Sequence, residues 1–255
     1  MTEPAFRGVG VALITLFDEY LALDAKRTAD FAAELVACGV TGVIVAGTTG
    51  EAAALDGPER EALVAATRAA LPSDVPVLAG IGAPSTYQAL DYLERVVGAG
   101  ADALLALSLP GGADQLAYYE ALAKQAGNTP LLAYNYPGAS APGIPVEVLV
   151  GLPVQGVKDS SGDADRLIES KARFDEPIYT GAAPLLTLAG GIGCAGAILS
   201  LANVIPEICI AAFGGDAIAQ ASIAEPNRRS KSPFPAGIKQ FATERFHTPL
   251  YRRMG

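Results

Sequence analysis

Two hydrophobic rhythms alternate along this chain. Short, nearly continuous apolar runs recur: VGVALITLF from Val9, TGVIVAG from Thr41, VPVLAGIG from Val75, ADALLALSL from Ala101, PLLAYNYP from Pro130, VQGVKDS from Val154, PIYTGA from Pro177 and CAGAILSL from Cys194. Runs of this length and composition read as strands. Between them lie longer stretches with apolar residues at helical spacing, such as AKRTADFAAELVACG, PEREALVAATRAAL, STYQALDYLERVVGAG, QLAYYEALAKQAG and DADRLIESKARF. Start signals support the helices: Pro58 falls in a first turn after Asp56 and Gly57, and Ser85 and Asp163 stand as N-caps.

Strands that are apolar on both faces and joined by helices predict a parallel sheet buried on both sides. Eight such units in 255 residues match an α/β fold of the (β/α)8 TIM barrel type, with an open doubly wound sheet as the rival. Nothing between the units has the composition of a linker. We therefore expect a barrel over residues 1–224 and a shortened C-terminal helical tail over 225–255 belonging to the same domain. That tail is basic and polar, and a solvated terminal helix is its default reading.

Composition removes several classes. Net charge is −9 with no cationic stripe, so nucleic acid is not an expected partner. Cys38, Cys194 and Cys209 are odd in number and set in apolar runs, which suits free thiols in a reducing, cytoplasmic compartment. His247 is the single histidine, which makes a histidine-rich metal site or a Ser–His–Asp triad improbable. The uncharged stretch from Pro177 to Pro206 is long enough to span a bilayer, but Gly181, Pro184, Gly190, Gly191, Gly193 and Gly196 interrupt it. Strand, helix and strand is the expected reading, with no membrane partner.

In a barrel the chemistry sits where strands end. Three strand ends carry suitable polar groups. After the second strand comes Gly47-Thr48-Thr49-Gly50-Glu51, whose successive N–H groups and hydroxyls suit a carboxylate or phosphate; an ordinary glycine turn with a capping threonine is the alternative. In the sixth strand stands Lys158. The other lysines, Lys26, Lys124, Lys171, Lys231 and Lys239, fall on helices or in the tail. A lysine among buried strand residues loses the water that stabilises its charge, which frees the amine as a nucleophile. Asp159 beside it points to the opposite face by strand alternation; a lysine snorkelling at a strand end is the alternative. Tyr134-Asn135-Tyr136-Pro137 ends the preceding strand and puts both phenols on one face, where one could relay protons. Gly191-Ile192-Gly193-Cys194-Ala195-Gly196 has dinucleotide-fingerprint spacing but precedes a strand and lacks the later acidic residue, so it reads as a helix-to-strand turn.

Taken together, GTTGE after the second strand, YNYP ending the fifth and GVKDSSGD in the sixth resemble the dihydrodipicolinate synthase / N-acetylneuraminate lyase family. Thr15-Leu16-Phe17 in the first strand, Gly181 in YTGA, and the stretch from Gly196 through Ile198 to Asn203 fit the same pattern, and the likeness runs from Gly8 to Pro206. The resemblance implies a class I pyruvate aldolase that needs no metal or external cofactor, because pyruvate is held as a covalent Schiff base on Lys158. It further implies Tyr134 as proton shuttle and Thr48 with it at the catalytic centre. Thr48 and Thr49 would bind the pyruvate carboxylate, and Gly181 and Ile198 would line the pocket. A homo-oligomer, dimer or tetramer, is the family expectation.

Two departures bear on substrate. Dihydrodipicolinate synthases carry an arginine shortly after the YN-x-P motif, where this chain reads Gly138-Ala139-Ser140-Ala141-Pro142-Gly143, and a tyrosine pair after the fourth strand, where it reads Pro110-Gly111-Gly112. The likeness is therefore closer to 2-keto-3-deoxy sugar-acid aldolases. The expected reaction is cleavage or formation of a 2-oxo-3-deoxy acid from pyruvate and an aldehyde. Condensation of pyruvate with aspartate semialdehyde, or a non-catalytic oxo-acid-binding paralogue, are the alternatives.

Overall fold

The structure, a computed structural model, describes residues 2–254. The apolar runs form eight strands: β1 (Gly8–Ala12), β2 (Gly42–Val45), β3 (Val77–Gly80), β4 (Ala103–Leu107), β5 (Leu131–Asn135), β6 (Val157–Asp159), β7 (Ile178–Thr180) and β8 (Gly196–Leu199). Each pairs in parallel with the next, and β8 returns to β1 with Gly10 opposite Ile198, so the sheet is a closed barrel rather than an open one. The outer ring is α1 (Ala25–Ala37), α2 (Gly57–Ala70), α3 (Thr86–Gly98), α4 (Gln115–Ala126), the short α5 (Val146–Leu149), α6 (Ala164–Arg173), α7 (Leu186–Gly191) and α8 (Pro206–Phe213). Outward strand residues such as Val11, Val43, Val45, Leu104 and Val157 join the helices in one core. Inward residues such as Ile44, Leu78, Leu105, Leu132 and Tyr179 form a second, central one.

The caps read from sequence are formed. Asp56 accepts from the Glu59 N–H at 2.9 Å while Glu59 accepts from the Asp56 N–H, a reciprocal capping box that starts α2 at Gly57. Ser85 and Asp163 accept from Gln88 N and Arg166 N. The Gly191-to-Gly196 glycines are the turn from α7 into β8. The stretch from Pro177 to Pro206 resolves into β7, α7, β8 and a 3-10 turn at Leu201–Asn203; among the described residues no helix is long and apolar enough to cross a membrane.

Two expectations are corrected. The first apolar run does not stay a strand to Phe17. It leaves the sheet after Ala12, and the backbone N–H groups of Ile14 and Leu16 donate to Asn203 Oδ1 and Thr28 Oγ1, both at 3.0 Å. Its apolar residues pack under the loops, so Thr15-Leu16-Phe17 sit beyond β1. The basic tail is not solvated either. After α9 (Ala217–Ser222), the tail forms most of α10 (Ala224–Lys231) and all of α11 (Ala236–Phe246), with Ile238, Lys239 and Ala242 fully buried. Beyond α11 the chain returns to the end of the barrel where the strands finish, and there Arg253 reaches Glu59 and the backbone at Leu21.

The opposite end is closed from the N-terminal side. Phe6 occupies the barrel floor: an added Cβ on Gly10 or Gly42 would come within 2.5 or 2.7 Å of its ring, so only glycine fits at either position. Its ring lies 4.7 Å from that of Tyr179, whose hydroxyl donates to Phe6 O at 2.9 Å and accepts from Phe6 N at 3.2 Å. The ring-to-ring contact and both hydrogen bonds leave no unpaired polar atom on this plug.

Candidate active site

Strand alternation and register assemble the site. Tyr134 in β5 pairs with Lys158 in β6, and Lys158 with Tyr179 in β7, so all three side chains share the inner face. Lys158 is 4% exposed, and its Nζ lies 4.1 Å from the centre of the Tyr134 ring. Among the described residues it makes no ion pair. Asp159 faces outward, where it accepts from Arg166 Nε at 2.6 Å, from Asn135 Nδ2 at 2.9 Å and from the Ser161 N–H and hydroxyl. Asn135 Oδ1 in turn accepts from the Ile144 N–H, at 2.8 Å. This outer network fixes the ends of β5 and β6 and spends the Asp159 charge on arginine, leaving the inward lysine with an aromatic face instead of a carboxylate.

Gly181 follows β7 beside the lysine. A Cβ built there would lie 1.8 Å from Ser160 Oγ and 3.2 Å from Lys158 Cε. Backbone thus approaches the lysine stem as closely as it can, and Ser160 is brought inward next to it. Ile198, 1% exposed, is part of the inner core across the barrel. Tyr136 stacks on Tyr134 with ring centres 6.1 Å apart; burial, with the Tyr134 phenol beside it, pushes its hydroxyl pKa up.

The loop after β2 forms the facing wall. A cavity of about 30 Å³ is lined by Ala46, Gly47, Thr48, Ala52, Gly80, Gly82, Leu105, Leu107 and Tyr134. Thr48 and Tyr134 therefore share one space, whereas Thr49 is buried in the same loop but does not line it. A larger cavity of about 500 Å³, between the segments around Gln115 and Pro145, touches none of the candidate residues.

Residues to which the sequence assigned no role of their own hold this loop in place. Thr15 donates to Gly50 O at 2.7 Å. Arg60, 2% exposed on α2, donates to Gly80 O at 2.7 Å and Ala52 O at 2.6 Å, and its guanidinium lies 4.2 Å over the Tyr92 ring. Glu51 is fully buried with its backbone in the left-handed region (φ 57°) and forms an ion pair with Lys239 at 2.5 Å. Arg60 sits at an ordinary surface-helix spacing and Lys239 in a basic segment, so nothing local in either sequence context signals burial.

The comparisons with known proteins show the family and the fold. A model described as the dihydrodipicolinate synthetase family matches residues 5–226. A 4-hydroxy-tetrahydrodipicolinate synthase of Natronomonas pharaonis is 36% identical over 84% of this chain and 76% of its own. A probable mitochondrial 4-hydroxy-2-oxoglutarate aldolase of Emericella nidulans is 35% identical over 82% and 72%. Among solved structures, a dihydrodipicolinate synthase of Bacillus anthracis superposes with a TM-score of 0.83 at 25% identity, covering 94% of this chain and 87% of that one. The chain belongs to the dihydrodipicolinate synthetase family, whose enzymes are lyases and aldolases that hold pyruvate as a Schiff base on a lysine and use no external cofactor.

Proposed function

We propose that this protein cleaves a 2-oxo-3-deoxy acid to pyruvate and an aldehyde, or joins the two in reverse, through an imine on Lys158. One observation carries the reading: an inward lysine with no carboxylate partner among the described residues, over the ring of Tyr134, which itself shares a cavity with Thr48. The amine of Lys158 adds to the C2 carbonyl, and the carbinolamine hydroxyl leaves as water with a proton given up by Tyr134, leaving a protonated imine beside the phenolate. The C3–C4 bond then breaks, its electron pair moves toward the iminium to give an enamine, and Tyr134 takes the proton of the C4 hydroxyl as the aldehyde forms. Protonation at C3 and addition of water release pyruvate and restore the lysine. Thr48, with the Thr49 backbone behind it, holds the substrate carboxylate, and Gly181 and Ile198 shape the space around the imine.

The substrate class rests on what surrounds that centre. No arginine lies in the stretch Gly138 to Gly143 just after Tyr136-Pro137, and Pro110-Gly111-Gly112 replaces the tyrosine pair of the biosynthetic synthases. A 3-deoxy acid is accommodated without those groups, and a relative named for a 4-hydroxy-2-oxo acid aldolase is consistent with this. The three free cysteines suit the cytoplasm, and self-association into a dimer or tetramer of the 26.0 kDa chain goes with the family reading.

Borohydride reduction in the presence of pyruvate, followed by peptide mass spectrometry, tests the mechanism. The expected result is a pyruvate adduct on Lys158 that is absent from Lys158→Ala. A folded protein that acquires no adduct overturns it. Turnover of 2-oxo-3-deoxy acids, against aspartate semialdehyde plus pyruvate, then decides the substrate; an adduct without turnover of either would mark a binding paralogue.

A further inference from the structure

Glu51 closes the GTTGE loop, and its carboxylate is gripped entirely by the C-terminal segment. Oε1 pairs with Lys239 Nζ at 2.5 Å, and Oε2 accepts from the backbone N–H groups of Arg253 and Met254 at 2.8 and 2.7 Å. Lys239 also donates to Tyr251 O at 2.6 Å. The Arg253 guanidinium pins the outer edge: it meets both Glu59 oxygens at 2.7 Å, donates to Ala54 O at 2.9 Å and Leu21 O at 2.8 Å, and lies 4.5 Å over the Phe17 ring. Residues 251–254 thus bridge the loops that follow β1 and β2.

Two physical consequences follow for the loop. Its left-handed Glu51 backbone is an unfavourable conformation for a residue with a Cβ, and it persists only where surrounding contacts impose it. Here those contacts come from the tail. A buried carboxylate directly behind an anion-binding turn would also repel an incoming anion, at short range and without solvent to screen it. Lys239 and the two N–H groups cancel that charge, so the Thr48–Thr49 face presents donors without a net negative field.

We propose that Glu51, Lys239 and the strap of residues 251–254 are positioning residues for the carboxylate site, setting affinity for the 2-oxo acid without touching it. This rests on the imine reading above, with Thr48 and Thr49 as the carboxylate donors. A chain ending at Tyr251 keeps Lys239 and its bond to Tyr251 O but loses both backbone donors and the Arg253 clamp.

The test is borohydride trapping on Lys158 across a pyruvate titration, comparing the full chain, the chain ending at Tyr251, and Arg253→Ala. The expected result is a half-saturating pyruvate concentration raised roughly tenfold or more in the shortened chain and less in Arg253→Ala, with labelling at saturation unchanged. With the cognate acid, KM should rise in the same order while kcat stays within about twofold. Should the shortened chain not fold, Arg253→Ala decides alone. Equal half-saturation in folded variants, or a loss confined to labelling at saturation or to kcat, overturns the strap while leaving the imine standing. No label on the full chain at any pyruvate concentration removes the imine reading, and the strap's role with it.

Discussion

A single methyl group at Gly181 would crowd both Ser160 and the stem of Lys158. The position permits backbone to lie against Ser160 and the Lys158 stem, and a Cβ there would overlap Ser160 Oγ at 1.8 Å. Relief requires Ser160 to turn or β7 to move, a disturbance of about 1–3 kcal/mol that falls on the lysine's immediate neighbours. Gly181→Ala is therefore expected to slow borohydride-trapped labelling at least tenfold. Gly191→Ala, where an added Cβ meets nothing within 4 Å, should leave both labelling and thermal midpoint unchanged. Equal labelling rates for the two variants would contradict the packing argument. Two of the three cysteines show the same scale working in the opposite direction. Cys209 and Cys194 are ordinary buried side chains, their thiol pKa values pushed up to about 12 and about 11 by burial, so neither is a reactive nucleophile near neutral pH.

At the scale of elements, the start of α2 connects stability to the site. The capping box of Asp56 and Glu59 fixes where the helix begins, and Arg60, one residue on, reaches back to the carbonyls of Ala52 and Gly80. Asp56→Ala should cost about 1 kcal/mol, read as a thermal midpoint lower by roughly 2–4 °C, with little change in labelling because Arg60 retains its own anchors. A drop near zero would mean that the helix start is fixed by Arg60 instead. The elements were readable from the sequence because periodicity and caps are local signals. That Lys158 meets Tyr134, and Tyr134 meets Thr48, was readable because parallel strands put their C-terminal ends at one place. The end of β1 was misread because apolar residues pack equally well beneath a loop as in a sheet, and hydrophobic pattern does not distinguish the two. Arg60 was missed because its burial depends on carbonyls supplied by two neighbouring strand ends.

For the whole molecule, the strap ties residues that lie 202 positions apart, Glu51 and Arg253, which is why composition made the tail look solvated. Only the folded path brings its cations to acceptors at the barrel mouth. This join also gives the molecule an acid sensitivity. Hydrogen bonding from Arg253, and secondarily from the Asp56 N–H, holds the Glu59 carboxyl below its ordinary range against the opposing effect of burial. A pKa lowered in the folded state means that the unfolded chain takes up the proton first. The stabilisation is thus present above the ordinary glutamate value, near 4.3, and is lost as pH falls through the lowered one. Thermal midpoints measured from pH 6 to pH 3 should fall more steeply for the full chain than for Arg253→Ala. Parallel curves would show that Glu59 does not report on the strap.

Phe6, packed on Tyr179, closes the floor of the barrel at the N-terminal ends of the strands. On the proposed reaction, the acid, the aldehyde and the water of hydrolysis would then all use the mouth at the other end. A group bonded to the lysine would lie deepest, with the aldehyde fragment above it. Departure would then be sequential, the aldehyde leaving before water reaches the imine and pyruvate going last. The reverse reaction would be ordered too, because an aldehyde arriving first would obstruct the route to the lysine.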